Sequence, residues 1–202
     1  MKKSIAIIPV KAHSERMEGK NFRVLGGREL WVWSVEYALE EGIEPVVSTD
    51  SEHVEKWCEA QGVRCVREVV DDRDLCNCVN QVLAVVECDF FVLLQPTSPI
   101  RKPGLVRDIL SEGVLTSIYS AEKVKMIGHV GDVFHDARRD QDADTRFLQH
   151  FDGNILVVNA GWYRATRRLF CNVSGVVEQQ KPYTLQIDVE DDFKVVKKII
   201  EL

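Results

Sequence analysis

Four short segments carry residues whose types suit phosphate and metal chemistry. The first spans residues 11–21, KAHSERMEGKN, and brings Lys11, Ser14, Arg16, Lys20 and Asn21 together around Gly19. Cations, a hydroxyl and free backbone amides on one loop are what a triphosphate requires. The spacing is not that of a Walker A loop, because no G-x-x-x-x-G-K followed by Ser or Thr is present. The same residue types also suit a solvated charged loop. The second segment, Val47-Ser48-Thr49-Asp50, ends on a carboxylate that suits a nucleotide or a metal, or the N-cap of a following helix. The third, LLQPTSPIR over residues 93–101, puts Gln95 and two hydroxyls between an apolar run and two stiffening prolines. That suits substrate positioning, and equally a rigid turn. The fourth is Ile187-Asp188-Val189. A carboxylate at Asp188 suits Mg²⁺, which takes one or two protein carboxylates and fills its shell with phosphate oxygens and water. Glu190, Asp191 and Asp192, just beyond, read as acids at the start of a helix.

The bulk properties bound what these segments can serve. A chain of 202 residues, 45% hydrophobic and 29% charged, suits one soluble domain with a full core and no staples. A net charge of −6 without a basic stripe argues against a nucleic-acid partner. No apolar run approaches a membrane span. SIAIIPV near the start is brief and is followed at once by charged residues, so it reads as a strand of a cytoplasmic protein and not as a signal peptide. The six cysteines include no C-x-x-C pair, and Cys76-Asn77-Cys78 is too tight for a zinc knuckle. They read as structural thiols in a reducing compartment.

Apolar runs alternate with amphipathic stretches through the first two-thirds of the chain. Strands are expected at 4–10, 45–48, 63–66, 90–95 and 115–121, and helices at 29–41, 51–61, 75–87 and 103–111. A strand at 155–158, a final strand at 183–187 and a helix at 191–202 close the pattern. Such alternation predicts an α/β fold of three layers, a mostly parallel sheet with helices on both faces, with ligands at the carboxyl ends of the strands. Residues 1–202 read as a single domain. Residues 122–154, polar and without period, read as an irregular insertion, a lid or dimerisation segment.

In this order the segments resemble the CMP-sialic acid synthetase family, the acylneuraminate cytidylyltransferases. The likeness runs from Ile5 to Asp192. Residues 10–21 follow the family's A-R-x-x-S-K-x-x-x-x-K-N, residues 47–50 its V-S-T-D, and residues 93–101 its L-L-Q-P-T-S-P-L-R. Asn159-Ala160-Gly161-Trp162-Tyr163 is similar to N-G-A-I-Y, and residues 185–193 to I-D-I-D-T-x-x-D-F. The resemblance implies a Rossmann-like fold of the nucleotide-diphospho-sugar transferase type. It implies a Mg²⁺-dependent transfer of CMP from CTP to a 2-keto-3-deoxy sugar acid, sialic acid or a related nonulosonic acid, with loss of pyrophosphate, and a homodimer. By match, Lys11, Ser14 and Lys20 hold the phosphates, Asn21 and Arg67 contact the cytidine, and Cys78 stands where a serine nears the base. Gln95 and Tyr163, with Arg146, hold the sugar acid. Asp188 binds the metal and, with Lys11 and Lys20, forms the catalytic set.

The chain departs from the pattern at Lys11 for arginine, Glu15 for lysine, Cys78 for serine and Gln186 for the first aspartate of I-D-I-D. Two other functions follow from these changes. Glu15 and Cys78 suggest a nucleotidyltransferase for another sugar or nucleotide. Gln186 suggests a nucleotide-binding homologue without catalysis.

Overall fold

The computed structural model describes residues 2–14, 16–69, 74–125, 127–130, 133–136, 147–170 and 173–202. Its first strand, β1 (Ser4–Val10), turns Ile5 and Ile7 to one face of the sheet and Ala6, Ile8 and Val10 to the other, all of them fully buried. A strand apolar on both faces must be covered on both, so this run belongs at the centre. A 3-10 turn at Lys20–Phe22 leads into a hairpin of β2 (Val24–Leu25) and β3 (Arg28–Glu29). Next come α1 (Val32–Glu40), β4 (Glu44–Thr49), α2 (Glu52–Gln61), β5 (Arg64–Arg67), α3 (Leu75–Val85), β6 (Phe90–Leu93) and α4 (Leu105–Glu112). The rest is β7 (Ser117–Lys125), β8 (Ile127–Val130), β9 (Val133–Asp136), β10 (Phe147–Asn159), α5 (Ala160–Thr166), β11 (Gly175–Gln179) and α6 (Glu190–Ile200).

Seven strands make one sheet in the order β11-β7-β10-β6-β1-β4-β5. β5, β4, β1 and β6 run parallel, β10 runs antiparallel to both neighbours, and β11 lies parallel to β7. Helices α1, α2 and α4 bring Val35, Val54, Cys58 and Val106 to the face of Ala6 and Ile8. Helices α3 and α5 bring Val79, Val82 and Tyr163 to the face of Ile5 and Ile7. The expected three layers are present. Because four neighbouring strands are parallel, their carboxyl ends share one rim, where a ligand in such a sheet collects. A third apolar cluster, Met17, Leu25, Leu30, Ile187, Phe193 and Val196, fastens the loop after β1 to α6.

Three elements differ from the sequence-based expectation. The helix expected from residue 29 starts at Val32, because Gly26 (φ 57°) and Gly27 (φ 81°) close the two-residue hairpin that claims Glu29. Such turns need positive φ at both central residues, which glycine adopts without strain. Residues 183–187 are not a strand. They are held by single contacts, the Ile187 N–H to the Thr97 carbonyl at 2.8 Å and the Asn154 amide to the Tyr183 carbonyl, and the last strand is β11. The described part of 122–154 is not irregular either: β7 and β10 pair from Phe147↔Lys125 to Phe151↔Ala121, and β8 and β9 form a hairpin. Ribbon pairing runs through the backbone, so it needs no apolar period to announce it. A bulge between Phe151 and Leu156 hides the rest of the alternation.

Candidate functional site

The rim is assembled by short polar links between strand ends. Thr49 Oγ1 donates to the Val10 carbonyl at 2.7 Å, and Asp50 Oδ1 accepts the Ala12 N–H at 2.7 Å. Asp50 therefore ties the end of β4 to the loop after β1; the N-cap of α2 is Ser51. Asn21, buried, donates its side-chain amide to the Lys11 carbonyl at 2.9 Å and closes the loop upon itself. Gly19 (φ 60°) opens the turn that follows, and Met17 is 7% exposed in the third apolar cluster. This loop is anchored, not solvated. Half-buried Ser14 lies in it, and Glu15 lies outside the described residues.

Two ion-pair groups stand on this frame. In the first, Lys20 Nζ donates to the Ile187 carbonyl at 3.0 Å and lies 3.5 Å from Asp188 Oδ1, while Arg16 reaches Asp188 Oδ2 at 3.1 Å. The first and fourth segments singled out in the sequence are thus in direct contact. In the second, Lys11 pairs with Glu68, whose other oxygen accepts the Ser48 hydroxyl at 2.9 Å. Burial works against the Lys11 charge, but the bond to Glu68 and the charges of Glu68 and Asp50 outweigh it, so its pKa is raised. Cys78 adjoins Ser48 and Glu68, and burial pushes its thiol up to about 12, which keeps it protonated.

The other expected contacts fall unevenly. Gln95 is half-buried at the end of β6, its carbonyl accepting from Arg101 at 2.6 Å and from the Ser98 N–H at 3.2 Å. Arg67 turns away to Glu55 at 2.6 Å and stays more than half exposed. Tyr163 is not brought to the rim. It is fully buried against Phe91, and its hydroxyl lies 3.1 Å from both the Cys76 carbonyl and Asn80 Oδ1. A ring in the core with its polar tip satisfied has nothing left for a ligand. Arg146 lies outside the described residues. Gln186 donates to the Asp152 carbonyl, its side chain packed beside Gly153.

The sequence reading missed three groups that shape the rim. Glu68 was passed over beside Arg67, although adjacent strand residues face opposite sides. Met17, a lone apolar residue in a polar loop, was the available signal of an anchor. Arg101, 6% exposed and without a carboxylate partner among the described residues, braces the 95–101 loop through the Gln95 and Asn154 carbonyls. Burial lowers its pKa to about 10, so it remains charged at neutral pH.

As a donor set for Mg²⁺, the rim offers Asp188, and among the described residues no group of three or more His, Cys, Asp or Glu is placed to hold a metal. One carboxylate fits an ion held mainly by phosphate oxygens and water.

A family model described as cytidylyltransferase matches residues 5–144. The chain belongs to the cytidylyltransferase family. The match takes in the loop after β1, the Lys11–Glu68 group and the 95–101 loop, and it ends before Asp188. N-acylneuraminate cytidylyltransferase of Streptococcus agalactiae serotype III is 25% identical over 95% of this chain and 52% of its own length. CMP-N,N′-diacetyllegionaminic acid synthase of Legionella pneumophila is 35% identical over 51% of this chain and 50% of its own. The chain spans about half the length of the curated relatives it matches. A solved CMP:2-keto-3-deoxy-manno-octonic acid synthetase in complex with CTP superposes with a TM-score of 0.74 at 17% identity, covering 98% of each chain. That likeness shows that this member of the cytidylyltransferase family shares its fold with that synthetase. Among the described residues no helix is long and apolar enough to cross a membrane.

Proposed function

We propose that the chain transfers CMP from CTP to the anomeric hydroxyl of a 2-keto-3-deoxy sugar acid of the nonulosonic type, releasing pyrophosphate. The observation that carries this is the cation set on one rim: Lys11 paired with the buried Glu68, and Arg16 and Lys20 paired with the more open Asp188. Attack by the sugar hydroxyl oxygen on the α-phosphorus forms one P–O bond and breaks the bond from the α-phosphorus to the bridging oxygen; the hydroxyl proton passes to solvent, and charge builds on the leaving pyrophosphate. Fixed cations aimed at that charge are the largest single aid such a reaction takes from a protein. Lys11 and Lys20 serve that role, Ser14 adds a hydroxyl, and Asn21 holds the loop in shape. Asp188 would hold Mg²⁺, which supplies charge neutralisation across the phosphates. Gln95, fixed by Arg101, orients the sugar acid, and orientation of two bound reactants lowers the barrier further. The names of the relatives support a sugar acid as acceptor; a homodimer belongs to the same reading, and light scattering tests it by a mass twice that of the 23.0 kDa chain.

The experiment is pyrophosphate release with each of the four nucleoside triphosphates, Mg²⁺ and a panel of 2-keto-3-deoxy sugar acids. Release that requires CTP and a nonulosonic acid is the expected result. Release with another nucleotide, or with none, rejects the reading. One observation favours a second reading, nucleotide binding without turnover: position 186, an aspartate in the pattern the chain resembles, is a glutamine that donates to the Asp152 carbonyl. Tight CTP binding with no release, unrestored by Gln186→Asp, would establish it.

A further inference from the structure

Glu68 is the least expected group on the rim. Its side chain is 2% exposed, yet it pairs with Lys11, accepts the Ser48 hydroxyl at 2.9 Å and borders the Cys78 thiol. Its own N–H donates to the Thr49 carbonyl at 2.7 Å, so β4 fixes the backbone that carries it. A carboxylate is tolerated at such depth only when paired and hydrogen-bonded. The pair also acts on Lys11. A lysine is a point charge on a flexible four-carbon stem, and ordering that stem around a ligand weakens binding. Lys11 is 28% exposed, and of the three donors an ammonium carries, one is directed to Glu68. Two positions at which the chain departs from the pattern it resembles, Lys11 and Cys78, meet at Glu68 in this one cluster.

We infer that Glu68 is a positioning residue for the nucleotide: its buried carboxylate holds the Lys11 ammonium at the rim, ready for the phosphates of an incoming nucleoside triphosphate. The inference rests on the reading that this rim binds CTP, and it adds that a fixed carboxylate sets the grip on the phosphates. Glu68 acts through Lys11 and does not touch the base.

The test is calorimetric titration of the full chain with CTP in Mg²⁺ and, separately, with cytidine. The proteins are the wild type, Lys11→Met, Glu68→Gln and the double variant, with unfolding midpoints measured alongside. Lys11→Met and Glu68→Gln are each expected to weaken CTP by about tenfold or more, the loss of one charge-assisted contact. Cytidine binding stays unchanged, and the double variant binds CTP no more weakly than Lys11→Met alone, because residues acting through one contact are not additive. Losses that multiply in the double variant overturn the inference, as does a Glu68→Gln that weakens cytidine equally, the mark of a merely structural role. Should Glu68→Gln fail to fold, Glu68→Asp keeps the charge but withdraws it by one methylene, and unchanged CTP affinity there overturns the inference too. CTP affinity unaltered by Lys11→Met removes this inference while leaving the rim a nucleotide site. A wild-type chain that binds no CTP removes the underlying reading, and the inference falls with it.

Discussion

Two carboxylates stand on the same rim, each paired with a lysine, and they differ in nearly every other respect. Asp188 is 42% exposed and divides its charge between Arg16 and Lys20, at 3.1 and 3.5 Å. Glu68 is 2% exposed and is closed in by Lys11, Ser48 and Cys78. Water and salt screen the first group, so a change of partner there costs little. Removing a partner from the second leaves a buried charge uncompensated. Under the proposed function the open carboxylate would exchange its lysine and arginine for a metal as phosphates arrive, and the closed one would stay as it is. The rim combines a fixed half with an exchangeable half.

The sharpest way to break that comparison is at Lys20, the one member of the open group that is itself buried. Lys20→Met keeps the stem and removes the charge. It is expected to lower kcat/KM for CTP by about 10²- to 10³-fold, the range for losing one preorganised group aimed at developing charge. A change under threefold in steady-state kinetics would show that the open group does not carry the phosphates. A smaller effect is expected from Met17→Ala, which loosens the anchor beneath both groups without touching a charge. Truncating a buried methionine costs about 2 kcal/mol at the low end, where a loop can collapse into the space. Urea unfolding should show that loss, and CTP affinity should fall with it. Stability lost with affinity unchanged would mean that the loop keeps its shape without the anchor.

Much of this fold was legible in the sequence because its central strands are apolar on both faces, and SIAIIPV can only be a covered strand. The loop after β1 and the Asp188 segment were legible as chemistry, and the structure puts them in contact through Lys20. The illegible parts share a physical cause, contacts that leave no period in the sequence. The β7–β10 ribbon pairs through backbone, and the bulge between Phe151 and Leu156 breaks its register. Residues 183–187 are apolar enough to read as a strand but have single contacts instead of a ladder. Tyr163 was expected at the rim from an aligned motif, which carries no information about which way a side chain turns. Glu68 was invisible for the opposite reason: a lone Glu after a strand reads as solvated, and only the position of Lys11, 57 residues earlier in the chain, makes it a buried pair.

Arg16 gives the smallest effect and the finest division between the two halves. Its guanidinium is 68% exposed and meets a carboxylate that is itself 42% exposed. An exposed pair of this kind contributes about 0–1 kcal/mol, because solvent screening and side-chain entropy offset most of the attraction. Arg16→Ala should therefore leave the unfolding midpoint within about 2–4 °C of wild type, the shift that 1 kcal/mol produces in a chain of this size. Its effect on CTP should grow as salt is lowered from about 0.15 M to 0.01 M, where the screening length rises from roughly 8 to 30 Å. Glu68→Gln, acting inside the closed group, should show no such growth, since buried pairs are screened far less. A salt dependence of CTP affinity that is the same for Arg16→Ala and Glu68→Gln would erase the distinction between an exchangeable and a fixed half of the rim.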